Sequence, residues 1–233
     1  MVSNRINFHP AFILHTKAYR ESSLLISLLT HHHGRIFAIA RRVRTLHSKL
    51  RGVIAPFNHL LVSLGGKSEL YTLYNAEIYG QQYNILQANI FYGFYLNELV
   101  TKLVPCHIIF PQIYQDYLYT ISFLAKTKHP EIYLRLFEKS LLIHLGYGLE
   151  LRYTITNAPI LEHKYYKYEF GNGFKDTKDF GDNVFLGKNL LLLHINNLSS
   201  YSAQDSAKRL LRIAINGILK NNNKIKSIDL INR

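Results

Sequence analysis

The sequence predicts an α+β protein, a small β-barrel followed by a mostly helical region. Three observations predict it. Short runs of alternating apolar residues fill Ala11 to Tyr79. Turn residues separate those runs, and the apolar period lengthens to a helical one after Gly80.

The strands come first. Phe12, Ile13 and Leu14 form a strand-length run. Leu24, Ile26 and Leu28 alternate with Ser23, Leu25 and Ser27. Ile36, Ala38 and Ala40 alternate after Gly34, and His59 to Leu64 and Leu70 to Tyr79 supply two more runs. HHHGR and GGKS read as turns, and Pro56 breaks the chain ahead of the fourth strand. Five short strands in so short a span suggest a closed or Greek-key barrel. The OB-fold is the common five-stranded barrel that binds oligonucleotides.

Beyond Gly80, Leu96, Leu99, Val100 and Leu103 lie at helical spacing, and Pro105 ends that helix. Tyr114, Tyr117, Leu118, Ile121 and Leu124 make a second stripe. Leu134, Phe137, Leu141, Leu142 and Leu145 make a third, which stops at Gly146. Residues 151–188 lose the period, with a hairpin expected around GNG between Tyr165 and Phe174. A last helix is expected from Ala203 to Leu219, with Asp205 near its start. The expected division is therefore a barrel domain over 1–80 and a helical domain over 81–233, with an irregular insertion near 151–188.

Composition narrows the function. The chain has 233 residues, 48% of them hydrophobic, and a formal net charge of +13. That charge favours nucleic acid or an anionic membrane surface. The apolar runs are too short to span a bilayer. MVSNRINFHP lacks the apolar core of a signal peptide. A lone Cys106 excludes an internal disulfide and a thiolate zinc cluster. The expectation is a cytoplasmic, cofactor-free protein.

Catalytic motifs fail on inspection. LGGKSE resembles the end of a phosphate-binding loop, but Leu61 stands where that loop needs glycine. His31, His32 and His33 read better as a polar hairpin tip than as metal ligands, since neighbours on a strand face opposite ways. Asp176, Asp179 and Asp182 lack the glycine and terminal glutamate of a calcium loop. His144 reads as a packed or capping histidine. No residue is assigned to catalysis or to a metal.

The basic segment ARRVRTLHSKLRG is different. Between Glu21 and Glu69 there is no acidic residue, while Arg35, Arg41, Arg42, Arg44, Lys49, Arg51 and Lys67 fall in that interval. A solvated face normally mixes signs. A uniform one, on a candidate barrel, suits a polyanion whose counterions it releases. Arg35, Arg41, Arg42, Arg44, Lys49 and Arg51 are the candidate DNA-binding residues. A merely basic loop is the competing reading. Membrane-surface binding is disfavoured, because the segment has no strong apolar face.

Four stretches, in order, resemble the RecO family of DNA repair proteins. They are AFILHTKAYRESSLLISLLTHHHGRIFAIARRVR, then LRGVIAPFNHLLVSLGGKSELYTLYNAEI, then GFYLNELVTKLVP with LRLFEKSLLIHLGYGLEL, and finally SAKRLLRIAI. The resemblance implies an N-terminal OB domain, binding of single- and double-stranded DNA, and annealing of complementary strands. It also implies action with RecR to load RecA onto DNA coated by single-strand-binding protein (SSB), and contact with the acidic, apolar C-terminal tail of SSB. A nucleoid-associated location follows from that role. Some members carry a four-cysteine zinc site where residues 151–188 fall. This sequence has no cysteine there, so a metal-free segment held by Tyr153, Tyr165, Tyr168 and Phe170 is expected. Arg135, beside Phe137 and at the exposed edge of its helix, is the candidate for the tail carboxylate. The alternative function is a non-enzymatic protein scaffold with incidental nucleic-acid or RNA contact.

Overall fold

A computed structural model describes residues 4–66, 70–219 and 224–231. Lys67 lies outside the described residues. The first five strands are β1 (Asn4–Tyr19), β2 (Ser23–Thr30), β3 (Gly34–Ala40), β4 (His59–Gly66) and β5 (Leu70–Ile78). They close in the order β1-β2-β3-β5-β4, with β4 returning to β1. Every pairing is antiparallel except β3 with β5. Strict alternation sends Ile13, Ile26, Leu28, Ile36, Leu60, Val62 and Leu64 inward. Ala11, Ala38, Ala40 and Ala76 share that interior and leave room for the larger side chains.

Strand β1 is much longer than its apolar run suggests, because it serves two neighbours. Its first half pairs with β4 and its second half with β2. Irregularities between Ile6 and His9 and between Ile13 and His15 bend it from one partner to the other. The β2–β3 turn carries the three histidines at its tip. Thr30 Oγ1 accepts from the His33 amide at 3.0 Å and donates to the Gly34 carbonyl at 2.8 Å. Gly34 needs to be glycine: its φ is +66°, and an added Cβ would lie 2.2 Å from the Ile108 carbonyl oxygen.

Helices α1 (Ile90–Leu103) and α2 (Pro111–Leu124) belong to the same compact unit as the barrel, which lies within Met1–Lys128 and Ile225–Arg233. Buried polar groups fix them to it. Asn97 donates to the Leu14 carbonyl of β1 at 2.7 Å and accepts from the Tyr117 hydroxyl at 2.6 Å. His59 Nε2 lies 2.7 Å from the Tyr114 hydroxyl, and its ring stacks on Phe12 at 4.2 Å. Near the C-terminus, Glu98 of α1 accepts from the Lys226 and Ser227 amides and the Ser227 hydroxyl, and pairs with Lys102. These contacts place the short α6 (Ile228–Ile231) in this unit.

The second compact unit lies within His129–Lys224. It holds α3 (Pro130–His144), α4 (Gly187–His194), α5 (Tyr201–Leu219) and a small sheet. That sheet orders β7 (Gly173–Thr177), β6 (Tyr165–Glu169) and β8 (Val184–Leu186), with β6 in the middle. The hairpin around GNG is present, but β8 and α4 carry too few residues to show a period in sequence.

The packing expected of this segment needs correction. Tyr168 is buried, whereas Tyr153, Tyr165 and Phe170 are each about two-fifths exposed. The buried aromatics are Tyr166, Tyr168, Phe174 and Phe185. Alternation along β6 turns Tyr166 inward and Tyr165 outward, and the Tyr166 hydroxyl accepts from the Leu161 amide at 2.9 Å. Phe170 does find a seat, with its ring over Gly217 of α5, where a Cβ would come within 2.4 Å.

Candidate nucleic-acid interface

The basic segment forms the long connection from β3 to β4. It is built from successive turns whose apolar residues pack into and against the barrel core. Val43 and Ile54 are buried in the barrel core, with Leu50 and Val53 packed against it. The cations occupy the positions between these anchors, so Arg41, Arg42, Arg44, Lys49 and Arg51 are all exposed. Local bonds hold the turns: Thr45 Oγ1 donates to the Arg42 carbonyl at 2.8 Å, and Asn58 Nδ2 to the Val53 carbonyl at 2.9 Å. Arg42 takes φ 57° to make the first of them.

Among the described residues, none of these five cations forms an ion pair. Among the described residues no carboxylate compensates their field. The loop also gathers the β1–β2 turn. The Arg44 amide donates to the Ser22 carbonyl at 2.9 Å, and its guanidinium reaches the Arg20 carbonyl at 3.4 Å. That brings Arg20 to the same rim, with its guanidinium over the Tyr19 ring at 5.3 Å. Sequence reasoning missed Arg20, because the adjacent Glu21 cancels its charge in any window.

Arg35 does not belong to this surface. It is only 9% exposed, and Nε donates to the Val104 carbonyl at 2.9 Å. The His107 amide in turn donates to the Arg35 carbonyl. Arg35 lies on the outer face of β3, where the segment after α1 covers it. It ties that segment to the barrel and is not presented to a phosphate.

Arg135 and Phe137 also differ from expectation. Both are buried on α3, at 6% and 2% exposed. Arg135 lies 2.9 Å from Glu138, which has no exposure at all. The expected exposed cation is thus half of a buried ion pair that spans one helical turn.

The histidines form a group. His9 joins His31, His32 and His33, its ring 4.7 Å from that of His33 and 5.3 Å from that of His32. Among the described residues, no set of three or more His, Cys, Asp or Glu is arranged to hold a metal ion. Burial, followed by the neighbouring His33, His32 and His31, pulls the His9 pKa down to about 4. Burial alone does the same to His59. Both are neutral in the fold and take up protons more readily once unfolded. Their contribution is therefore complete above pH 6.5 and lost as pH falls from 6.5 towards 4. The thermal midpoint should drop across that window, and His59→Gln should flatten the drop. A midpoint with the same pH slope in both proteins would remove His59 from this account.

Among the described residues, no helix is long and apolar enough to cross a membrane.

Comparison with known proteins covers nearly the whole chain. The family model "Recombination protein O N terminal" matches residues 8–82, and "Recombination protein O C terminal" matches residues 88–221. The chain is 35% identical over 223 residues to the DNA repair protein RecO of Coxiella burnetii (strain RSA 331 / Henzerling II), covering 94% of this chain and 95% of that protein. It is 34% identical over 226 residues to the DNA repair protein RecO of Pasteurella multocida (strain Pm70), covering 96% and 94%. To that of Klebsiella pneumoniae (strain 342) it is 33% identical over 207 residues, covering 88% and 84%.

Proposed function

The chain belongs to the RecO family of DNA repair proteins, and from this we propose that it binds single- and double-stranded DNA and anneals complementary strands. With RecR it helps load RecA onto SSB-coated DNA, acting in the cytoplasm at the nucleoid and without catalysis of its own. The observation that carries the reading is the set of five exposed cations, Arg41, Arg42, Arg44, Lys49 and Arg51, which form no ion pair among the described residues. They engage phosphates, so sequence preference is weak. Annealing needs two like-charged strands brought together. A basic rim lowers their repulsion and needs no nucleotide hydrolysis.

The test is annealing of complementary oligonucleotides, bare and SSB-coated. The protein should accelerate pairing of both. A scaffold with incidental nucleic-acid contact would leave the rate at that of the oligonucleotides alone.

Arg135 and Phe137 on α3 are the proposed contacts for the SSB tail, and because both are buried the tail reaches them only where the side chains covering α3 move aside. The tail carboxylate then has to take the guanidinium from Glu138, which limits affinity. Replacing the pair together, Arg135→Met with Glu138→Gln, removes both charges of the pair at once. A labelled tail peptide should bind this double variant about tenfold or more weakly, as expected for the removal of one charge-assisted hydrogen bond. Equal binding would place the tail elsewhere.

A further inference from the structure

We propose that the outer face of the barrel around Tyr74 is a stacking platform for unpaired bases, with Phe8 as its second ring. It rests on the reading that the barrel binds DNA, and adds what would make that binding favour single strands.

The platform follows from the strand register. Where β5 pairs with β4, Leu73 faces Leu64 and Asn75 faces Ser63, so Tyr74 is the extra residue of a bulge. Its side chain points outward and is 62% exposed. Even so, it has a support. The ring lies over Gly65 of β4, where an added Cβ would sit 2.6 Å from Cε2 and 3.1 Å from the hydroxyl oxygen. Only glycine at position 65 lets the ring lie there. One face is thus backed by the barrel while the other is open.

Phe8 repeats the pattern. It lies within the irregularity of β1 between Ile6 and His9 and is 63% exposed. Its φ of 47° is unusual for a bulky residue. Its amide donates to Ser63 Oγ at 3.2 Å, and Ser63 is the partner of Asn75. The two residues therefore lie on the strands either side of β4, their backbones about two strand spacings, or about 10 Å, apart. Successive unstacked bases of one strand can span that distance.

Cations border the rings on both sides. Arg5 is the partner of Gly65 and is exposed. Ala40 pairs with Leu73 at the end of β3, so Arg41, the first residue after that strand, and Tyr74 both follow the last β3–β5 pair, where the basic loop begins. Glu77, three residues on from Tyr74 along β5, is exposed as well. A ring held between cations and open on one face suits a stacked base with phosphates to either side. A duplex keeps its base faces covered and gains nothing from such rings.

The experiment uses the full-length protein and compares oligo(dT) with a duplex of equal length, for wild type, Tyr74→Ala, Tyr74→Phe, Phe8→Ala and Arg41→Ala/Arg42→Ala/Arg44→Ala. Tyr74→Ala should bind oligo(dT) about fivefold to hundredfold more weakly, the range for one base–aromatic stack. Its duplex affinity and salt slope should be unchanged, and Tyr74→Phe should keep wild-type affinity. Phe8→Ala should weaken oligo(dT) binding in the same way. Unchanged oligo(dT) affinity in Tyr74→Ala, with the triple arginine variant weakened, overturns the platform and leaves the basic-loop reading standing. An equal weakening on oligo(dT) and duplex also overturns stacking. Failure of the wild type to bind either nucleic acid overturns the functional reading itself.

Discussion

Replacing Glu138 by Ala should destabilise the unit within His129–Lys224 by about 3–5 kcal/mol. The reason is the Arg135 guanidinium, which lies on α3 with only 6% of its surface exposed and has Glu138 at 2.9 Å. Without the carboxylate, a cation that cannot lose its proton stays buried on α3. Domains of this size are stable by about 5–15 kcal/mol, so the effect is a large fraction of the whole. Arg135→Met combined with Glu138→Leu should cost far less, because it removes both charges together. Urea denaturation of the two variants separates these outcomes. If Glu138→Ala has the wild-type midpoint, the pair is not what holds α3 in place.

The second large effect is on DNA. Arg41, Arg42 and Arg44 changed together to Ala should weaken binding to all sequences alike. All three are exposed and only Arg44 makes a side-chain hydrogen bond, a long one of 3.4 Å to a carbonyl. The protein should therefore keep its fold. Removing one neutralised phosphate makes the logarithmic salt slope on single strands shallower by about 0.7, so removing three amounts to about 2. Affinity titrations from low to moderate salt measure this directly. A folded variant with an unchanged slope would move the phosphate site away from the β3–β4 connection.

Some of this molecule was legible before any coordinates. Alternation and turn chemistry located five strands between Ala11 and Tyr79, though not the first residues of β1, and the helical pattern located α1, α2, α3 and α5. These signals are local, because apolar residues must recur with the period of the element that buries them. The run of cations without acids was legible for the same reason, since charge adds along the chain whatever the fold. Short elements were not. The three-residue β8 and the eight-residue α4 are too brief for a period to register.

The sequence by itself determined the kind of domain, the sign of its field and the segment that carries it. Only the tertiary structure decided which of those charges are available. Arg35 lies on the outer side of β3 and Arg41 just past its end, six residues apart, yet the segment from Val104 to Ile108 covers the first, while the second is exposed. Arg135 sits in a stripe that reads as a helix edge, and is enclosed with Glu138. Tyr74 gained its support from Gly65, distant by one hairpin and fixed by a bulge that no local pattern announces. Burial depends on what packs over a residue, and what packs over it comes from elsewhere in the chain.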